Sequence, residues 1–301
     1  MWSRSPTSSA TTRLMQLLER YNAALRRSED VTIAQLNRIL DSSFNRLLRR
    51  TRIQLRSGAP AADRNVALLQ EFRQLVPAFR PDRTDAYDRV LRSLLRSSEG
   101  RGVTVARELL RDSGSQRRLI NVSIPIEATV AAAAQARGYL RRHGEAFAAT
   151  ATDLVAQGIA EGRPTDAITN DLRLRLGVVK SRADVIARTE SLRAYNAASN
   201  QYYAANGIDL VMWYATSDDR TCPICNARAG RIYKRASTNA PAHPRCRCYL
   251  APWDPEIAAI DPEYAALPRT HREEVSRVAT IGPADLNKAA VFEQFAPQPF
   301  D

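Results

Sequence analysis

Lysine is absent from the first 120 residues, cysteine from everything outside 222–248, and histidine from all but positions 143, 243 and 271. Each absence narrows the reading. No apolar run approaches the roughly 18 to 20 residues that a membrane-spanning helix requires, so a helical transmembrane protein is excluded. The opening Met1-Trp2-Ser3-Arg4-Ser5-Pro6 lacks the apolar centre of a secretory signal, and the chain is expected to be made and kept in a reducing cytoplasm. In that setting, cysteines confined to one window do not read as the disulfide framework of a small secreted domain. The zincin pattern HExxH is missing, as is the HxE half of a deaminase-type signature.

What is present is ordinary in bulk and uneven in detail. The 301 residues are 44% hydrophobic and 25% charged, which suits a chain that buries a core and has room for about two domains. The formal net charge is +12, and 23 arginines against 12 acidic side chains in residues 1–120 account for nearly all of it. Such asymmetry points either to an acidic partner, nucleic acid or an acidic protein face, or to helices laced with arginine–acid pairs. Clustered arginine can grip phosphates bidentately, but nothing in this stretch specifies bases.

The pattern along the chain is mainly helical. Residues 1–11, rich in Ser and Thr, read as a loose arm. Leu14, Leu17, Leu18, Tyr21 and Leu25 form the stripe of a first helix. Asp30 or Thr32 is placed to cap a second, carrying Ile33, Leu36, Ile39, Leu40, Phe44, Leu47 and Leu48 up to a break at Ser57-Gly58-Ala59-Pro60. Shorter helices are expected over 63–76, 82–98 and 103–112, with a break from Ser97 to Gly102. Residues 113–125 read as a linker, 126–150 as an Ala-rich helix and 151–161 as a short one. Thr165 caps a helix to Gly177, and Ser181-Arg182-Ala183-Asp184 opens a long one that stops at Asn206-Gly207. The texture then changes. Residues 208–216 form a strand candidate, with 231–234 and 248–250 as short partners, and a Pro-punctuated tail of short helices ends in an apolar stretch through Phe292 and Phe295.

All four cysteines fall in Cys222-Pro223-Ile224-Cys225, seventeen residues, then His243-Pro244-Arg245-Cys246-Arg247-Cys248. Two thiolates two residues apart in a turn chelate one zinc ion, and a second cluster after about 12 to 20 residues closes a tetrahedron. Five candidates compete for four positions. Cys222 and Cys225 are taken as members, and two of His243, Cys246 and Cys248 complete the shell. Zinc suits a thiolate-rich site, and a closed shell makes it structural. The segment 217–252 supports this, because Ile224, Ile232, Tyr233, Tyr249 and Leu250 are nearly all the large apolar residues it has to order it. Upstream, Glu190 in Arg188-Thr189-Glu190 is either a base near the metal or half of an ion pair anchoring a helix. Tyr195, Tyr202 and Tyr203 read as core. His143 and His271 read as isolated and solvent-facing.

Taken in order, Arg188-Thr189-Glu190, Asn196, Gly207, Trp213, Asp219-Arg220-Thr221-Cys222, Cys225, Gly230, Tyr233, His243 to Cys248 and Pro252 resemble the phage Mu F-like head morphogenesis family. The resemblance implies a minor structural protein of a tailed-phage head. It would dock at the portal protein and at capsid or scaffold proteins, aiding morphogenesis, DNA packaging or ejection, and would act without enzymatic activity. It implies a place in the virion, inside the capsid near the portal, after a stay in the host cytoplasm. The competing readings are a DNA-binding zinc module, whose Arg-rich N-terminal region contacts packaged DNA, and a zinc hydrolase or toxin-like transferase. The expected architecture is mainly α, with a small α+β zinc-stapled C-terminal portion. Residues 1–120 form a basic helical arm or bundle separable from the rest, 121–253 the Mu F-like domain and 254–301 the tail.

Overall fold

The computed structural model describes residues 10–60, 63, 66–67, 70, 85–113, 119–121, 146–147, 149–244 and 246–278. The expected N-terminal arm, helix 63–76, linker 113–125, Ala-rich helix 126–150 and apolar tail with Phe292 and Phe295 lie wholly or largely outside them, as does His143.

The described chain is mostly helical, with one small sheet. Helix α1 spans Ala10–Leu55, α2 Asp85–Asp112, α3 149–160 and α4 Thr165–Ala205. Three of these are longer than the sequence pattern predicts. The caps expected at Asp30 and Thr32 are not used, and α1 runs straight through them. Asp30 instead accepts from Arg188 at 2.7 Å, and Thr32 is buried. The break expected at Ser97–Gly102 is absent because Gly102 is a packing glycine. A Cβ there would stand 2.3 Å from the Tyr195 carbonyl oxygen, so α2 and α4 approach backbone to backbone. The Ser199 hydroxyl lies 3.0 Å from both the Gly102 and the Tyr195 carbonyls. The break expected at Gly177–Ser181 is absent too. Leu172, Leu176, Ala183 and Ile186 keep one buried face through it, which outweighs the roughly 1 kcal/mol that an interior glycine costs. The stop at Asn206-Gly207 forms as expected: the Ile208 N–H reaches Tyr203 O at 3.0 Å and the Gly207 N–H reaches Ala204 O at 3.2 Å.

The chain folds into two compact units, each assembled from separate stretches. Residues 28–95 and 127–190 form one, and 1–27, 96–126 and 191–301 the other. The first is helical. Phe44 meets Phe147 edge-on at 6.2 Å, and Arg188 binds Glu29, Asp30 and Asp184. Lys180 pairs with Asp41.

The second unit holds the sheet. Strands β1 (Leu210–Tyr214), β2 (Ile232–Lys234) and β3 (Tyr249–Trp253) are antiparallel in the order β2-β1-β3, near the expected positions. Tyr214 stands opposite Tyr249 and Leu210 opposite Trp253, with Lys234 on the other side of Leu210. Alternate side chains enter two cores. Leu210, Met212, Tyr214, Tyr249, Ala251 and Trp253 face one, which also takes Leu14, Leu17, Leu18 and Leu25 of α1 and Val105 and Leu109 of α2. Val211, Trp213, Tyr233, Cys248 and Leu250 face the other, with Tyr202, Tyr203 and Ala106. A strand buried on both faces reads as a continuous apolar run, and Leu-Val-Met-Trp-Tyr is one. The first core takes residues from both sides of position 120.

Two short helices follow, α6 (Pro255–Ile260) and α7 (Pro262–Val278), after α5 (Pro223–Arg228) in the loop between β1 and β2. Their neighbours and α4 close the free edge of β3 with side chains. The Asn196 carboxamide donates to Cys248 O at 3.3 Å and accepts from the Leu250 N–H at 3.0 Å. The Tyr203 hydroxyl donates to Leu250 O at 3.3 Å, and the Tyr264 hydroxyl to Pro252 O at 3.0 Å. Gly230, at φ 68°, lies so close to α7 that a Cβ would stand 1.9 Å from the Pro268 carbonyl oxygen.

His271 corrects an expectation. It is fully buried, not solvent-facing, because α7 lays it flat on the Tyr214 ring at 4.2 Å. Its Nε2 accepts from the Ala215 N–H at 3.0 Å, which places the proton on Nδ1, a buried atom with no hydrogen-bond partner in the structure. Burial lowers its pKa to about 4 from 6.5.

Two outcomes follow. The unfolded chain takes up a proton on residue 271 near pH 6.5 and the folded chain resists until about pH 4, so stability is full above that window and falls as pH drops through it. Chemical denaturation at pH 7 and pH 5 should show wild type losing roughly 1–2 kcal/mol more than His271→Gln, whose amide oxygen still accepts from Ala215. Equal losses would show that His271 does not carry the effect. Separately, Asn196→Ala leaves two buried backbone groups unpaired and should cost about 2 kcal/mol or more. Hydrogen exchange should show the Leu250 amide losing protection first.

Candidate metal centre

The first half of the cluster is a helix start. Cys222 is the N-cap of α5, at φ −73° and ψ 161°, and Pro223 occupies the first helical position, where its missing N–H costs nothing. The Cys222 sulfur accepts from the Cys225 N–H at 3.5 Å, so one turn of helix brings both sulfurs to the same side. The second half is a turn ahead of β3. The Cys246 N–H reaches His243 O at 3.1 Å, and His243 Nδ1 lies 2.8 Å from Pro244 O. That contact fixes the ring so that Nε2 faces the thiols, the usual outer support of a ligating histidine.

The five predicted donors come together. His243 Nε2 lies 3.1 Å from the sulfurs of both Cys222 and Cys225, and Cys225 Sγ lies 3.7 Å from Cys246 Sγ. They form two converging triads that share Cys225: Cys222, Cys225 and His243, and Cys225, Cys246 and Cys248. Two sulfurs bound to one zinc at about 2.3 Å stand about 3.8 Å apart across a tetrahedral angle, close to the Cys225–Cys246 separation. The donor set therefore fits a thiolate-binding divalent ion.

Protons shared within the cluster show the same charge preference. The Cys225 thiol donates to Cys222, bringing Cys222 down to about 4, with His243 adding to the effect against burial. Cys246 is lowered in the same way by Cys225 and Cys248. Cys225 is itself raised by donating to Cys222, Cys246 and Cys248, and burial raises Cys248. His243 rises to about 10 because it donates to Cys222 and Cys246. A divalent cation would take over the role of those shared protons.

A polar brace holds the two halves in register. Asp218 takes Arg247 in a two-pronged grip, with Nη2 at 2.6 Å from Oδ1, and this holds its carboxyl near 2. The same carboxylate accepts the Arg220 N–H at 3.0 Å. The Thr221 hydroxyl donates to Thr216 O, and the Thr216 hydroxyl donates to Arg247 O at 2.9 Å. Sequence reasoning singled out Asp219 and overlooked Asp218 and Thr216. An arginine set between two cysteine ligands was the available signal that a carboxylate stood opposite it.

Glu190 is buried on α4 and belongs to neither donor triad. Its neighbour Arg188 is committed to Asp184, Glu29 and Asp30. Asn196 serves as the edge closure of β3, and Tyr195, Tyr202 and Tyr203 are buried in the cores as expected.

No curated protein and no solved structure matches the chain. A family model does. Described as Phage Mu protein F like protein, it matches residues 149–251, from the first residue of α3 into β3, and so takes in α4, the brace and all five donors. Residues 149–251 are thus similar to the phage Mu F-like family.

Proposed function

We propose that this chain is a minor structural protein of a tailed-phage head, a virion component held inside the capsid near the portal after assembly in the host cytoplasm. The family match over 149–251 carries the reading. In it, the protein docks on the portal protein and on capsid or scaffold proteins and aids head morphogenesis, DNA packaging or ejection. Its metal centre serves the fold and not a reaction. Four protein donors close a zinc shell and leave no position for water, so the ion's contribution is folding free energy. The residues that would hold it are four of Cys222, Cys225, His243, Cys246 and Cys248. No described helix is long and apolar enough to cross a membrane.

DNA contact belongs to the same picture as a second reading, favoured by the charge of the first 120 residues. Arg38 and Arg49 are exposed on one side of α1 and Arg56 is exposed just beyond its end, and no acidic residue occurs between Asp41 and Asp63. Phosphate contacts of this kind make affinity fall steeply with salt.

Mass spectrometry of purified heads, with the chain quantified against portal protein, tests the assembly role. The chain is expected at low copy in heads and absent from preparations of free tails. Its absence from heads would overturn the reading. The DNA reading predicts retention on duplex DNA that drops at least tenfold between 50 and 200 mM salt; salt-independent retention, or none, would remove it. The metal reading predicts about one zinc per purified chain, and that Cys225→Ser loses both the zinc and the hydrogen-exchange protection of 217–252 while the helices persist. Protection retained across 217–252 without zinc would show that the ion is not the staple.

A further inference from the structure

This inference rests on the zinc reading and concerns how five donors share a four-coordinate ion. Cys225 links His243 and Cys246: its sulfur lies 3.1 Å from His243 Nε2 and 3.7 Å from the Cys246 sulfur. Each remaining donor converges with two of these three. Cys222 meets Cys225 and His243 and is partly exposed, whereas Cys248 meets Cys225 and Cys246 and is buried in the core beneath the sheet. The sites of Cys222 and Cys248 are therefore alternative ways of completing one tetrahedron around the same three anchors.

The backbone distinguishes their roles. Cys222 sits on the helix start, with its sulfur already accepting the Cys225 N–H at 3.5 Å. Cys248 is fixed by the strand that follows it, its carbonyl bonded to Asn196 at 3.3 Å. Trp213 shares that core, and its buried indole N–H makes no hydrogen bond among the described residues. A metal-bound thiolate at Cys248 would give that N–H a strong acceptor.

We propose that the ion rests on Cys222, Cys225, His243 and Cys246, and that Cys248 is a reserve ligand that takes the place of Cys222 when the exposed thiolate is lost. The exchange conserves chemistry: three thiolates and one imidazole hold the ion before and after it. The member of the shell nearest solvent is then backed by one that solvent does not reach.

Cobalt(II) bound to the full-length chain in place of zinc reads this directly, because its sulfur-to-metal charge-transfer intensity follows the number of thiolate ligands. Wild type, Cys222→Ser and Cys248→Ser should each bind one equivalent with the same three-thiolate intensity. The double variant Cys222→Ser/Cys248→Ser should fall by about one third or fail to hold the ion. A fall in Cys222→Ser alone, or its failure to fold, would show that Cys248 does not step in. A fall in Cys248→Ser alone, or a four-thiolate band in wild type, would show that Cys248 is resident. Wild type that takes up neither cobalt nor zinc would overturn the metal reading itself, and the reserve ligand with it.

Discussion

Strand β1 is buried along its whole length and on both faces, and a five-residue strand in a three-stranded sheet cannot meet that requirement from its own neighbours. One face is covered by α1 and α6, the other by the loops that carry the thiols, and α2, α4 and α7 contribute to both. Each cover brings a polar obligation with it, since a buried backbone group without a partner costs as much as a lost hydrogen bond. The free edge of β3 meets its obligation through Asn196, Tyr203 and Tyr264, side chains aimed at specific backbone groups. A residue such as Asn196 is thus set by what the sheet requires of α4, and its place beside the metal loop follows from the same bonds, because it holds the carbonyl of Cys248.

The sheet also ties the metal centre to the rest of the unit. Cys248 immediately precedes β3 and shares a core with Trp213 on β1 and Tyr233 on β2. Trp213 carries the Arg228 guanidinium over its ring at 5.0 Å, and Arg228 is the last residue of the helix that Cys222 caps. The loop therefore meets the strand at several points, yet most of its length between 234 and 247 is short turn and a single 3-10 turn. The Asp218–Arg247 grip joins the two halves, and at its partly exposed position such a pair supplies orientation more than energy. The five converging donors fit a metal ion, whose binding free energy would hold the remainder.

The strands, the stop at Asn206-Gly207, the donor cluster and the family were legible in the sequence because each rests on a local signal: β-branched and aromatic runs, an αL stop, cysteine spacing. What misled was punctuation. Ser97–Gly102, Gly177–Ser181 and Asp30–Thr32 look like boundaries to any rule that weighs only intrinsic propensity. In the fold they lie inside long helices, since Gly102 allows a backbone approach and Asp30 pairs across to Arg188. His271 misled for the converse reason. An isolated histidine on a polar helix looks solvated, and only the tertiary placement of α7 on Tyr214 makes it core. The boundary expected near residue 120 rests on a change of both charge and texture; charge is a property of surfaces, and the first core, whose leucines the charge pattern does not register, takes residues from both sides of it.

That separation of surface from core bears on how the chain meets its partners. Among the described arginines of the first 120 residues, Arg20, Arg26, Arg52 and Arg101 are tied to Glu108, Thr216, Asp166 and the Ala24 carbonyl, whereas Arg38, Arg49 and Arg56 are exposed on the surface. The family match, by contrast, runs from 149 to 251, and within it Asn196, Trp213, Gly230 and Cys248 each answer an internal requirement of packing. Under the proposed role, five converging donors for a four-coordinate ion fit that division, because a scaffold assembled once gains more from a staple that survives the loss of one ligand than from one tuned to release.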